Sequence, residues 1–349
     1  MIPTKAYAAY NATSPLAPFD FNRREPGQHD VLIEILYCGV CHSDLHQARG
    51  DWGNKLFPMV PGHEIVGKVM KTGSHVTKFK SGDLAGVGVM VDSCRICKNC
   101  KNDLENYCAE GMTGTYNGLE KDGKTITQGG YSTQIVVDEK YVLHISDKLD
   151  LKAVAPLLCA GITTYSPLRF AVVTKGMKVG VIGLGGLGHM GVKFAVSFGA
   201  EVTMISHSPS KEADAKRLGA RHFLLSSDEG QMKKYNSYFD VILNTVSANH
   251  DYAKYLELLD MNGRMMIVGL PEEAPKVSPF ALLENRRSIT GSMIGGIKET
   301  QEMLDYCAAN NIVSDIELIN IQDINNAYTR MEKADVRYRF VIDLNSLRS

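Results

Sequence analysis

The sequence predicts an α/β chain of two parts, a doubly wound parallel sheet and a second, mainly β part, and three observations carry that prediction. From about residue 152 onward, strand-like and helix-like stretches alternate. Within that region one strand runs straight into a glycine-rich turn and then a helix. The first third reads instead as short strands broken by glycine turns. At 349 residues the chain is also long for a single hydrophobic core, so two domains are the natural division.

In the first part the clearest strand runs are residues 30–40, 64–70, 84–89 and 131–137, a pattern that suits an irregular barrel or sandwich. In the second part, residues 178–182 read as a strand, 189–198 as a helix, 201–205 as a strand and 211–218 as a helix. Strands at 239–244 and 264–268 flank a helix at 252–259, and this alternation indicates parallel pairing. The tail from about residue 297, with a helix at 299–309 and a strand at 338–344, is expected to return to the first part. The predicted domains are therefore 1–151 with 295–349, and 152–294.

Composition narrows the function. A hydrophobic fraction of 44% with 22% charged residues is ordinary for a soluble globular protein. The formal net charge of −1 leaves no basic excess for a general nucleic-acid or membrane-surface role. The opening Met1-Ile2-Pro3-Thr4-Lys5-Ala6-Tyr7 lacks the layout of a secretory signal. Residues 179–200 come nearest to a membrane span, but they contain His189, Lys193 and many glycines. A cytoplasmic location is the expectation.

Cys94, Cys97, Cys100 and Cys108 follow the spacing C-x₂-C-x₂-C-x₇-C. Spacers this short let four thiolates converge at about 2.3 Å from one zinc ion. A disulfide cluster is the alternative, but x₂ spacings give poor disulfide geometry and nothing marks the chain as secreted. The spacing favours a structural zinc.

The run Val181-Ile182-Gly183-Leu184-Gly185-Gly186-Leu187-Gly188 is a strand feeding G-x-G-x-x-G and then a helix. Gly183 permits a tight turn, Gly185 lets a pyrophosphate approach the backbone, and Gly188 lets helix pack on strand, as in a Rossmann dinucleotide site. The next strand normally ends in an acid that binds the ribose hydroxyls of NAD. Here it ends Ser206-His207-Ser208-Pro209-Ser210-Lys211, without a carboxylate. The hydroxyls of Ser206 and Ser208 and the Lys211 ammonium suit a 2′-phosphate, although Ser208 or Ser210 could equally cap a helix. The missing acid favours NADP(H).

Several motifs occur together in order: GVCHSDLH at 39–46, VPGHEIVG at 60–67, the four-cysteine lobe, LCAGITTYSPL around Cys159, GLGGLGHMGVKFA from Gly183, and GSMIGG at 291–296. With them the chain resembles the zinc-dependent medium-chain alcohol dehydrogenases, most nearly the cinnamyl alcohol dehydrogenase branch. The resemblance spans nearly the whole chain and implies a GroES-like catalytic domain beside the Rossmann domain. It also implies a catalytic zinc held by Cys41, His63 and Cys159, the ligand set known for alcohol dehydrogenase. Glu64 would be a transient fourth ligand, and Asp44 would orient the His63 ring.

Further roles follow from the same resemblance. Ser43 would be the relay hydroxyl and His46 the outer acid–base, a residue type suited to moving protons near neutral pH. Thr163 would back the nicotinamide, Val268 and Ser292 would bond its carboxamide, and His42 and Arg339 would contact the pyrophosphate. Trp52, Met90 and Ile294 are the candidate substrate-channel residues, which favours apolar or aromatic aldehydes over sugars or acids. The implied assembly is a homodimer built near residues 291–296. Two rival readings are a zinc-free quinone or enoyl reductase on the same fold, and a non-enzymatic zinc-ribbon module. Cys41, His63 and Cys159 weigh against the first, and the nucleotide fingerprint weighs against the second.

Overall fold

A computed structural model describes residues 1–53 and 56–348. Contacts divide the chain into two compact units, Met1–Cys159 with Gly295–Ser349, and Ala160–Ile294.

The second unit is built on a six-stranded, wholly parallel sheet. Its spatial order is His222–Leu225, Glu201–Ser206, Lys178–Ile182, Phe239–Asn244, Leu259–Ile267 and Ser288–Gly291. Numbered along the unit this is 3-2-1-4-5-6, the doubly wound order with its switch point beside the first strand. The central strands Lys178–Ile182 and Phe239–Asn244 are nearly continuous apolar runs, as burial on both faces demands. In Lys178–Ile182 only the first residue is not buried. Ile205, Leu224, Phe239, Ile242, Leu256 and Met265 make a core on this sheet, each at 0% exposure. Burying such side chains contributes roughly 1.5–3 kcal/mol apiece.

The first unit carries a sheet in the order Ile316–Asn320, Arg339–Asp343, Asp30–Gly39, Ile65–Thr72, Leu84–Val87 and Leu143–His144, with Gln134–Asp138 also pairing with Asp30–Gly39. Asp30–Gly39 is the centre, antiparallel to three neighbours. The helix Leu151–Val154 and the turn Ala155–Leu158 pack on this strand and on Ile65–Thr72, so residues 152–159 lie with the first unit.

Several elements differ from their expected spans. The helix at 252–259 stops at Leu256, because Leu258 and Leu259 enter the core and Leu259–Ile267 is a strand. The strand expected from residue 131 begins at Gln134. The hairpin Ile2–Ala8 with Ala17–Arg23, and the strands His222–Leu225, Ser288–Gly291 and Ile316–Asn320, have no counterpart in the sequence reading. The last three have four, four and five residues, and the hairpin shows no fully buried face on its second strand.

Candidate metal and coenzyme sites

Three separate elements bring the first donor set together within the first unit. Cys41 caps the helix His42–Arg49, immediately after the central strand. His63 and Glu64 precede the strand Ile65–Thr72, and the Gly39 N–H donates to the Glu64 carbonyl at 2.9 Å. Cys159 closes the turn Ala155–Leu158. One donor atom from each of Cys41, His63, Glu64 and Cys159 lies within 4.8 Å of every other, and all four residues are buried.

The donors fit a soft tetrahedral cation. The Cys41 and Cys159 sulfurs stand 3.9 Å apart, too far for a disulfide, and both cysteines are free. Two thiolates at 2.3 Å from one tetrahedral zinc stand roughly 3.8 Å apart. The hydrogen bond with Cys159, followed by Arg339 and His63, holds the Cys41 thiol well below its usual range against the effect of burial. The same contact and then burial push Cys159 well above its own. Two buried thiols in contact favour loss of a proton to a cation placed between them.

His63 Nδ1 bonds Asp44 Oδ1 at 3.1 Å, which turns Nε2 toward the donor group. Burial opposes charge on the ring, but Asp44 outweighs it and the His63 pKa lies well above the usual value. Asp44 is itself at 0% exposure and accepts from the Gly62 N–H, the Cys41 N–H and the Tyr131 hydroxyl at 3.1, 2.9 and 3.1 Å. Tyr116 stacks on the His63 ring with centroids 5.8 Å apart. Gly62 sits at φ 105°, the left-handed region in which a side chain is strained, and this turn aims His63.

Glu64 is balanced differently. Its Oε1 pairs with Arg339, while its buried Oε2 has no hydrogen-bond partner within the protein. Burial raises the Glu64 carboxyl to about 7 although Arg339 pulls the other way. One Glu64 carboxylate oxygen belongs to the donor group, as a transient metal ligand requires.

Ser43 Oγ lies 3.6 Å from the Cys41 sulfur. His46, half-buried, is held by Asp51 through Nδ1 at 2.8 Å and stacks on Trp52 with ring centroids 5.4 Å apart. Trp52 is 46% exposed, Met90 is buried in the strand Met90–Asp92, and His42 is exposed at the start of its helix. Ile294 is buried with φ 43°, an outlying conformation for a β-branched residue.

The second donor set is the lobe of Cys94, Cys97, Cys100 and Cys108, whose sulfurs also lie within 4.8 Å of one another. Cys94 and Cys100 sulfurs are 3.9 Å apart. Backbone N–H groups of Cys97, Cys100 and Cys94 donate to the sulfurs of Cys94, Cys97 and Cys108, each at 3.4 Å. Such donation stabilises thiolates, and bonds from Ala109 and then Cys100 bring the Cys97 thiol down to about 6.

In the second unit the glycine loop joins the strand Lys178–Ile182 to the helix Gly188–Ser197. Gly183 has φ 88° and abuts Val246, where a Cβ would meet Cγ2 at 2.6 Å. A Cβ on Gly188 would lie 1.8 Å from the Gly183 carbonyl oxygen, so helix and turn touch there. A Cβ on Gly185 would meet nothing within 4 Å. That open space, at the N-terminus of a ten-residue helix, fits a pyrophosphate. Gly186 and Leu187 complete the turn.

At the end of the neighbouring strand, buried Ser206 accepts from the Ser208 N–H at 3.2 Å, and the hydroxyls of Ser208 and Ser210 are 2.9 Å apart. His207 is exposed, and Lys211 ends the short turn Pro209–Lys211. Thr163 is buried in the helix Ala160–Phe170. The N–H groups of Val268 and Ser292 already donate to the carbonyls of Asn244 and Ile267, both at 3.0 Å, which leaves their own carbonyls for a carboxamide.

The sequence reading did not single out Tyr131, Tyr116, Asp51 or Val246. None belongs to a spacing pattern, and only the fold brings each beside a residue that does.

Comparison with known proteins shows the family of the chain. Residues 27–147 match the family described as alcohol dehydrogenase GroES-like domain, and residues 186–309 match the zinc-binding dehydrogenase family. The chain is 55% identical to NADP-dependent alcohol dehydrogenase C 1 of Mycolicibacterium smegmatis over 350 residues, 100% of each chain. It is also 55% identical to aldehyde reductase YahK of Escherichia coli, covering 98% of this chain and 99% of that one. The cinnamyl alcohol dehydrogenase of Sorghum bicolor superposes with a TM-score of 0.95 at 44% identity, covering 98% of both chains. The chain therefore belongs to the zinc-dependent medium-chain alcohol dehydrogenases and is an oxidoreductase. Within them it falls on the branch that resembles the cinnamyl alcohol dehydrogenases.

Proposed function

We propose that the chain is an NADPH-dependent zinc enzyme that reduces aromatic and medium-sized apolar aldehydes to alcohols. The observation that carries this reading is the convergence of the Cys41, His63 and Cys159 donors with Glu64. It is the donor set that zinc-free reductases of this fold lack. Relatives named as an NADP-dependent alcohol dehydrogenase and an aldehyde reductase support it at 55% identity.

When bound, zinc supplies Lewis acidity toward a carbonyl oxygen, and the coenzyme supplies a hydride for the carbonyl carbon. Cys41, His63 and Cys159 would hold the catalytic ion, and Cys94, Cys97, Cys100 and Cys108 a second, structural one. Asp44 keeps the His63 proton on Nδ1, so Nε2 presents a lone pair. Arg339 offsets the Glu64 carboxylate, which would otherwise stand uncompensated in a buried site. Ser43, next to Cys41, accepts and passes on the proton that the product hydroxyl needs. His46, fixed by Asp51, exchanges it with solvent.

The Gly185 opening would seat the pyrophosphate, and Ser206, Ser208 and Lys211 the 2′-phosphate. His207 flanks that pocket. Reduction is the working direction because cells keep this coenzyme mostly reduced. Trp52, Met90 and Ile294 line the apolar substrate side in this reading. A cytoplasmic homodimer, paired near the edge strand Ser288–Gly291, completes the proposal. Among the described residues no helix is long and apolar enough to cross a membrane.

A panel of aromatic and aliphatic aldehydes, assayed with NADPH and NADH side by side, tests this function. Benzaldehyde-like and cinnamaldehyde-like compounds should consume NADPH with the highest kcat/KM. Activity confined to NADH, or to quinones and enones, contradicts it.

A further inference from the structure

We infer that Tyr131 is a positioning residue of the metal centre, whose hydroxyl acts through Asp44 to hold the His63 ring in its binding pose. The inference rests on the metal reading above and deepens it.

Tyr131 is at 0% exposure and ties together the two chain segments that carry the donors. Its backbone N–H donates to the Pro61 carbonyl at 2.9 Å, two residues before His63. Its ring closes on Gly62, where a Cβ would stand 2.7 Å from Tyr131 Cδ1. Its hydroxyl donates to Asp44 Oδ2 at 3.1 Å, three residues beyond Cys41. Segment 61–63 and segment 41–44 are thus braced from a third place in the sequence.

The Asp44 carboxylate divides its work between two oxygens. Oδ1 takes the His63 Nδ1 and the Gly62 N–H, both at 3.1 Å. Oδ2 takes the Cys41 N–H at 2.9 Å and the Tyr131 hydroxyl. Three of these four donors belong to the segments being positioned. Tyr131 comes from outside them, as does Tyr116, which also reaches Asp44, so Tyr131 helps to fix the rotation of the carboxylate independently of the parts that the carboxylate orients. Without it, the carboxylate keeps the Cys41 and Gly62 N–H bonds but loses a hydroxyl donor on Oδ2, which loosens the hold on its rotation and so on the His63 ring. Phenylalanine would preserve the ring packing on Gly62 and remove only this donor.

The test is Tyr131→Phe in the full-length zinc-loaded protein. A chelator should extract the zinc held by Cys41, His63 and Cys159 about tenfold faster, the range of supporting residues around metal ligands, while the four-cysteine zinc leaves at its original rate. With cobalt in the catalytic position, the visible absorption band should shift. In an Asp44→Asn background the same change should add less than twofold, because the two residues act in series. Extraction within twofold of the wild type, or an equal loss in both backgrounds, overturns the inference. Should Tyr131→Phe not fold, 3-fluorotyrosine at 131 alters the donor and keeps the ring. An unshifted cobalt band then overturns the inference, and a shifted one supports it. A wild-type protein with no zinc at Cys41 overturns the functional reading itself, whereas zinc that ignores Tyr131 overturns this inference alone.

Discussion

Arg339 and Glu64 form an ion pair in the interior of the first unit, with 5% and 0% of their side chains exposed. They are 275 residues apart in sequence, and their contact links the last strand of the first unit's sheet to the donor group. Removing one partner of a buried pair strands the other charge, at a cost of about 3–5 kcal/mol, whereas replacing both is far milder. Arg339→Met should therefore lower the urea midpoint strongly, and the double variant Arg339→Met with Glu64→Gln should regain most of it. Equal losses would mean that the pair does not carry this balance.

The two cysteine sites should separate on substitution. Cys97→Ser should lower stability, because a structural zinc contributes folding energy outright. Cys159→Ser should abolish turnover while leaving the far-ultraviolet spectrum and melting temperature nearly unchanged. Each variant should keep one zinc by elemental analysis. Equal unfolding in both would refute the division.

The coenzyme loop offers a contrast between two glycines. Gly188→Ala forces a Cβ to within 1.8 Å of the Gly183 oxygen and should destabilise the coenzyme-free protein. Gly185→Ala meets open space and should leave that stability intact. It should instead weaken NADPH binding by about tenfold or more, since the methyl occupies the space into which the pyrophosphate fits. Melting curves with and without coenzyme read both effects.

Coenzyme choice turns on Ser206. Ser206→Asp places a carboxylate where the 2′-phosphate is expected, and the repulsion should cut kcat/KM for NADPH by about tenfold or more. Use of NADH should improve, because an acid at this strand end suits ribose hydroxyls. An unchanged ratio would mean that the phosphate is read elsewhere.

What could be read in advance follows from how local each feature is. The four cysteines and the glycine loop lie within fifteen and eight residues, so spacing alone reveals them. The strands Lys178–Ile182 and Phe239–Asn244 appear as predicted because a parallel strand buried on both faces is an unbroken apolar run. Cys41 and Cys159 are 118 residues apart, and only the family resemblance joined them before the fold did. Tyr131, and the pairing of Arg339 with Glu64, show why the rest was hidden. A hydroxyl on Asp44 and a guanidinium on Glu64 leave no periodic trace, since tertiary packing alone sets those distances. The helix end at Leu256 was lost for a related reason: Leu258 and Leu259 continue the helical apolar pattern, yet the sheet claims them.

The central claim is a metal ion held jointly by Cys41, His63 and Cys159. Anomalous scattering at the zinc edge, from crystals of protein purified without chelator, tests it most directly. The account predicts a peak about 2.3 Å from both sulfurs and about 2.0–2.1 Å from His63 Nε2, and another at the centre of the four-cysteine lobe. A map with density only in the lobe would contradict it.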